Sequence, residues 1–376
     1  MKKSIAVLYT DAGGGHRAAA KALQEILKIN PEWNVTLINP LKDICSDYDV
    51  IRKLTGIQTE DAYNHWVAER EHAPNILILM SAVIMLNILI YKKKLLKALR
   101  EFWINNQFDM VISVMPFINS IISNSMRTSI PKTPFVTVVT DYSECAKYIW
   151  INGKDQFLIC GTDKLVSQAQ QRLDSSHIFK LSGMITNPSF YNTKNLNKNK
   201  RILELGFQVE IPIGLVMFGS HGSSYMVTIA QKLQNIRGPI QMIFICGHND
   251  KLKLQLEAMH LNYSVYIVGL VDDVQNYMAI ADFFIGKPGG ASITEAAIMH
   301  LPMIILCGPK TLLQEKYNAR WVQENEIGIC INNLNQINYD VENVLNSIPK
   351  FRENYKKINN TGIFEIPEIL QKIWDA

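Results

Sequence analysis

The sequence predicts an α/β protein of two doubly wound, Rossmann-like domains facing a cleft, and three observations carry that prediction. Short apolar runs alternate with helical lengths of chain, a polar stretch interrupts them midway, and each half has a glycine-rich turn directly after an apolar run. The first-half runs lie near residues 5–9, 35–38, 110–114, 135–140 and 157–160; those of the second half lie near 214–218, 241–246, 265–268, 283–285 and 303–306. Between them, Asn187-Pro188 and the polar run from Asn192 to Arg201 have the composition of a linker and no periodicity. The expected boundaries are a first domain over 1–190, a linker over 191–201 and a second domain over 202–376, with the last helix a candidate to return to the first domain. A chain of 376 residues is long for a single core, which agrees with two.

The turn in the second half is the more informative one. A strand over Asp282–Ile285 runs into Gly286-Lys287-Pro288-Gly289-Gly290-Ala291 and a helix. Backbone N–H groups of Gly289, Gly290 and Ala291 would be among the unpaired donors of its first turn, where the helix dipole favours an anion such as phosphate. Glu295, one turn further in, can accept from two vicinal hydroxyls of a ribose; the plainer reading is a structural glutamate at a helix start. In the first half, the strand Ile5–Tyr9 leads into Thr10-Asp11-Ala12-Gly13-Gly14-Gly15-His16-Arg17 and a helix whose Ala19, Ala22, Leu23 and Ile26 recur at helical spacing. Gly13, Gly14 and Gly15 let a ligand approach the backbone and display His16. The triplet lacks G-x-G-x-x-G spacing, and the second strand ends at Asn39-Pro40 without an acidic residue, which disfavours a dinucleotide-binding dehydrogenase.

Composition excludes several classes. A net charge of +4 and the lack of a basic helix interleaved with aromatics argue against nucleic acid as a partner. Six cysteines without C-x-x-C spacing or histidine pairing read as reduced core residues of a cytoplasmic protein, not as a metal site. The opening Met1-Lys2-Lys3-Ser4 leads into a strand too short for a signal-peptide core.

Taken in order, these segments resemble the inverting GT-B glycosyltransferases of the group that contains monogalactosyldiacylglycerol synthase, the bacterial diacylglycerol glucosyltransferases and the peptidoglycan N-acetylglucosaminyltransferase. Gly13 to Ala18, Val139-Thr140-Asp141, Gly183 to Phe190 and, most strongly, Lys287 to Ala296 carry the resemblance. It implies a UDP-sugar held mainly by the second domain: Gly219 and Ser220 on the diphosphate, Val271 backbone groups on the uracil edge, Glu295 on the ribose, and Gln314 and Glu315 on the donor sugar. The first domain would then hold the acceptor. The loop Gly219-Ser220-His221-Gly222-Ser223-Ser224 departs from the glycine run and acidic residue of many lipid-directed relatives, and between residues 41 and 130 the resemblance is thin.

Displacing UDP by a hydroxyl requires a base at the acceptor and charge stabilisation at the leaving diphosphate, which helix N-termini and nearby donors provide without a divalent metal. His16 is the first candidate base, since an imidazole titrating near pH ~6.5 is available at neutral pH; the alternative is a helix-start histidine bonded to its own backbone. Asp141 is a rival base, an orienter of His16, or a turn cap. Arg17 is a candidate diphosphate contact, or an exposed first-turn arginine. His221 and His248 follow strand ends and are phosphate or sugar contacts, or ordinary polar loop residues. Asp47-Tyr48-Asp49 has the acid-x-acid form of a metal–nucleotide site, against which stands a solvated loop.

The most apolar stretch, Asn75–Tyr91, precedes Lys92-Lys93-Lys94. It approaches the ~20 residues of a membrane span. Spanning would split one sheet across a bilayer, which leaves a buried helix or a lipid-touching helix with a lysine rim. The expectation is therefore a UDP-sugar-dependent hexosyltransferase acting on a lipid such as diacylglycerol, with no cofactor and no strict metal requirement. It would be peripheral on the cytosolic face of a membrane, meeting the anionic surface through about 75–97. A UDP-sugar epimerase, a transferase with a soluble acceptor, and an inactive UDP-sugar or lipid sensor are the alternatives.

Overall fold

The computed structural model describes residues 2–12, 14–62, 64, 74–142, 149–151, 156–193, 196–309, 311 and 313–375, the side chains of 74–89, 313 and 314 excepted. The chain divides into two compact units, Met1–Pro188 with Asn360–Ala376, and Ser189–Asn359.

The first unit is built on six parallel strands, β1 (Lys3–Leu8), β2 (Trp33–Ile38), β3 (Met110–Ser113), β4 (Phe135–Val138), β5 (Phe157–Cys160) and β6 (Ile178–Lys180), in the order β2-β1-β3-β4-β5-β6. The second has β7 (Ile213–Met217), β8 (Gln241–Ile245), β9 (Ser264–Val268), β10 (Phe283–Gly286), β11 (Met303–Leu306) and β12 (Gly328–Ile331), in the order β12-β11-β10-β7-β8-β9. Parallel strands covered on both faces lose their polar alternation, which is why β3, β4, β7, β8, β10 and β11 are buried at every position. The chain order reverses between β1 and β3 in one sheet and between β7 and β10 in the other. Loops at the carboxyl ends of those strand pairs therefore flank a crevice, the usual ligand position in such sheets.

The edge strands β6 and β12 were not expected. Both are only partly covered; β6 has three residues and ends in Lys180, whereas β12 is a short apolar run, Gly328-Ile329-Cys330-Ile331, opened by a glycine. The expected linker over 191–201 is also partly structured: the units divide at Pro188, and Lys198 to Arg201 begin a helix, Lys198–Glu204, whose N-cap Asn197 accepts from the Lys200 N–H. Asparagine-rich polarity there is capping chemistry as much as linker composition.

The last helix, Gly362–Asp375, belongs to the first unit. Its buried face of Ile363, Ile366, Ile369, Leu370 and Ile373 packs on the helix Gly15–Leu27, while Trp374 lies 5.9 Å from Trp33. The stretch expected to touch lipid forms the first half of a helix, Pro74–Asn106, about 50 Å long at 1.5 Å per residue. Its second half buries Leu95, Leu99 and Trp103, and the Trp103 indole donates to Ser125 at 2.8 Å. Side chains 74–89 lie outside the description; Ile90 is 63% exposed and Lys92, Lys93 and Lys94 face solvent. Among the described residues no helix is long and apolar enough to cross a membrane.

Candidate active site

In the first unit, β1 ends in the glycine turn and delivers His16 as the second residue of the helix Gly15–Leu27. Gly14 has φ +79, a left-handed backbone that glycine adopts without a side-chain clash. Gly13 lies outside the described residues. His16 bonds other strands, not its own helix: its Nδ1 sits 3.2 Å from the Thr140 hydroxyl beyond β4, and its ring donates to the Val114 carbonyl at the end of β3. The Trp150 ring lies 5.9 Å away, and the Trp150 indole donates to Asp141 at 3.2 Å. His16 and Asp141 are thus brought into one cluster by a tryptophan, while the residue touching the imidazole is Thr140. The expected titration near neutrality is corrected: burial, partly offset by the Val114 bond, lowers the His16 pKa to about 4. The ring is neutral at pH 7, with a lone pair on the nitrogen that carries no hydrogen.

A buried carboxylate holds the loop that presents His16. Glu60 accepts from the Thr10 hydroxyl, from the Asp11 N–H at 3.0 Å and from the Asn39 amide at 2.8 Å, and Lys42 lies 3.8 Å away. Asp11 in turn takes Arg17 at 2.7 Å and Lys42 at 3.2 Å. Arg17, expected near a diphosphate, therefore stands in an ion pair on its own loop. Neither Glu60 nor Trp150 was expected, because nothing local in Thr59-Glu60-Asp61 or Ile149-Trp150 marks them.

In the second unit, the turn after β10 brings Gly289 to the N-cap and Gly290 and Ala291 into the first turn of the helix Gly290–Ile298. Gly289 is a correction: its N–H already donates to the Lys287 carbonyl at 2.8 Å. Gly290 and Ala291 have first-turn N–H groups with no intrahelical acceptor. The buried Asn318 fixes the turn by donating to the Pro288 carbonyl at 2.9 Å. Glu295 is partly buried; burial raises its pKa to about 7, and no donor among the described residues reaches its carboxylate.

Gly219 follows β7 with φ +76, and a Cβ there would stand 3.5 Å from the Lys287 side chain. Lys287 donates to Glu315 at 3.2 Å, so Glu315 is engaged with the cation of the turn; the Gln314 side chain lies outside the description. Ser220 bonds the His221 Nδ1 at 2.9 Å and its carbonyl accepts from the His248 N–H at 2.8 Å. The two imidazoles lie 5.7 Å apart, and burial, then His248 and Lys287, lower the His221 pKa. A Cβ at Gly247 would meet the Ser220 carbonyl at 2.1 Å, so only glycine lets the β8 loop lie against the β7 loop. Val271 follows β9, three residues before the helix Val274–Ile280.

The acid-x-acid segment divides: Asp47 is exposed, as a solvated loop predicts, whereas Asp49 is buried. Ser46–Tyr48 form a single 3-10 turn, and Asp49 caps the helix Val50–Thr55 while accepting from Thr59 at 2.8 Å. That carboxylate is engaged by its own backbone.

Comparison with known proteins bears on the family and the fold. A family model described as monogalactosyldiacylglycerol (MGDG) synthase matches residues 16–184, and one described as glycosyltransferase family 28 C-terminal domain matches 214–373. Monogalactosyldiacylglycerol synthase 3, chloroplastic, of Arabidopsis thaliana is 28% identical over 347 residues, covering 87% of this chain and 71% of the relative. Of several other synthases of that name the chain spans only 61–63%. Among solved structures, Acinetobacter baumannii MurG superimposes with a TM-score of 0.61 at 11% identity, covering 98% of this chain and 99% of that one. LpCGTa in complex with UDP gives 0.61 at 13% identity, covering both chains completely (100%). With one family model over most of each unit, the same two-sheet fold and synthase relatives along most of its length, the chain belongs to the GT-B glycosyltransferase group.

Proposed function

We propose that the protein transfers a hexosyl group from a UDP-sugar to a lipid acceptor such as diacylglycerol, with inversion at the anomeric carbon. The observation that carries the reading is Glu295, a partly buried carboxylate without a donor among the described residues, one turn behind a glycine-opened helix N-terminus at the switch point of the second sheet. Two vicinal ribose hydroxyls would supply the missing donors. The diphosphate would lie against Gly290, Ala291, Gly219 and Ser220, with the Lys287 cation beside it, and Val271 would meet the base. Support for a lipid acceptor comes from the relatives, which are named for monogalactosyldiacylglycerol synthesis and align along most of the chain.

In the proposed step the acceptor oxygen attacks the anomeric carbon, the bond to UDP breaks on the opposite face, and the acceptor proton passes to the neutral His16. Thr140 and the Val114 carbonyl hold the imidazole, and Asp141 acts through Trp150. The leaving charge is stabilised by first-turn N–H groups and Lys287, so a divalent metal is not required. The chain would work at a membrane surface met through residues 75–97.

The test is to incubate the protein with UDP-glucose, UDP-galactose and UDP-N-acetylglucosamine in the presence of diacylglycerol, with and without a chelator. Glycolipid of inverted anomeric configuration in both arms is expected. Release of a free or epimerised sugar nucleotide without glycolipid would overturn the reading, and a complete, Mg²⁺-restorable loss in the chelator arm would overturn the metal-independent step.

A further inference from the structure

The loop after β3 holds a strained aromatic residue. Phe117 has φ +69, a left-handed backbone that is unfavourable for any residue with a Cβ and rare for a bulky one. Three other described non-glycine residues have positive φ, Gln107, His300 and Glu326. Each stands within two residues of a helix end, at Asn106, Ile298 and Glu324. A left-handed residue is an ordinary stop there. Phe117 has no helix before it; it lies between β3 and the helix Asn119–Ser129.

Packing does not explain the strain. The Phe117 side chain remains 43% exposed, whereas Met115 and Ile118 on either side are 1% and 9% exposed. Dedicated hydrogen bonds hold the conformation instead. The Phe117 N–H donates to the Ile149 carbonyl at 2.8 Å, and the Ile118 N–H to the Pro116 carbonyl at 2.9 Å. Asn119, fully buried, accepts from the Ser113 hydroxyl and donates to the Trp150 carbonyl. Both ties lead to the candidate base: Ile149 precedes the tryptophan beside His16, and Val114, three residues before Phe117, supplies the carbonyl that His16 bonds. Strain maintained by specific bonds, with the side chain left in solvent, is characteristic of a ligand-contacting position.

We propose that Phe117 is the acceptor-specificity residue of the first unit: its ring, displayed by the strained loop beside His16, receives the apolar glycerol and acyl portion of the acceptor and so directs the acceptor hydroxyl to the imidazole. The proposal rests on the lipid-acceptor reading above. An exposed aromatic ring buries well against the methylenes of a glycerolipid.

Wild type, Phe117→Gly and Phe117→Leu are compared in three measurements: binding of 1,2-dioctanoylglycerol without donor by tryptophan fluorescence, binding of UDP by calorimetry, and the thermal midpoint. Phe117→Gly is expected to weaken dioctanoylglycerol binding about tenfold, the loss of roughly one aromatic contact area, with UDP affinity unchanged. Its thermal midpoint should hold, because glycine accepts the left-handed backbone. Phe117→Leu should restore most of the affinity. In turnover, the KM for diacylglycerol should rise in Phe117→Gly while kcat at saturating acceptor is kept. Equal dioctanoylglycerol affinity in wild type and Phe117→Gly, no binding by wild type, or a sharply lower midpoint in Phe117→Gly would each overturn the proposal. Dioctanoylglycerol binding that depends on Phe117 without sugar transfer from any UDP-sugar would overturn only the assignment of function.

Discussion

Burial moves two candidate site residues in opposite senses, the Glu295 carboxyl up to about 7 and the His16 imidazole down to about 4. Between its unfolded value and 7, Glu295 binds more protons folded than unfolded, so its contribution to stability is present at low pH and is lost as pH rises through 7. For His16 the unfolded chain binds more protons, so its contribution is full above about 6.5 and is lost as pH falls through 4. Glu295→Gln should therefore gain stability over wild type by about 2 kcal/mol between pH 5 and pH 8 in urea unfolding, the shift discounted for partial exposure; an unchanged difference would contradict the buried carboxyl. In UDP calorimetry, Glu295→Ala should lose roughly 2 to 3 kcal/mol for two hydroxyl bonds to a carboxylate, and equal affinity would remove Glu295 from the site. His16→Ala should keep UDP affinity while turnover falls by about 100-fold or more; unchanged turnover would move the role of base to Asp141. Glu295 and His16 were legible because each follows a glycine turn at fixed spacing. Glu60 and Trp150 were not, since Glu60 holds a loop some fifty residues earlier and Trp150 touches His16 across more than one hundred and thirty positions.

At the scale of elements, the helix Pro74–Asn106 combines two surfaces. Leu95, Leu99 and Trp103 are core, whereas Ile90 and Lys92, Lys93 and Lys94 face water. The neighbouring helix Val50–Thr55 adds an exposed Leu54, and Lys53 lies 5.1 Å from the Tyr91 ring. An exposed apolar residue beside several lysines suits an anionic lipid surface, where each lysine contributes about 1 kcal/mol. Changing Lys92, Lys93 and Lys94 together to Gln should reduce cosedimentation with anionic vesicles in low salt and leave the thermal midpoint unchanged. Replacing Leu86 and Leu89 by Ser should abolish vesicle binding at little cost in stability; a large fall in the midpoint, with a wild type that never sediments, would make the whole stretch core. An apolar run of this length reads the same in either role, because periodicity reports burial and not what covers the face.

For the whole molecule, the path of the chain links stability to a terminal helix. The five buried aliphatic residues of Gly362–Asp375 are the cover of the helix Gly15–Leu27. Their burial contributes about 10 kcal/mol as an upper bound at ~2 kcal/mol each, comparable with the total stability of a domain. A chain ending at Asn359 should lose the cooperative unfolding of the first unit and retain UDP binding by the second; retention of both transitions would contradict that packing. The alternation of apolar runs with helical lengths by itself determined two parallel α/β sheets, since a strand buried on both faces must be apolar throughout and its neighbours must cross over by helices. The glycine turns by themselves marked the two candidate loops, and at Gly14 and Gly219 the backbone is the left-handed one that glycine adopts without a clash. Tertiary structure alone decided that Thr140, Val114 and Trp150 surround His16, that Glu60 holds its loop, and that Phe117 is strained and exposed. Those contacts join residues far apart in the chain, where side-chain burial and hydrogen-bond satisfaction act only after the sheets have formed, and no local pattern of residues records them.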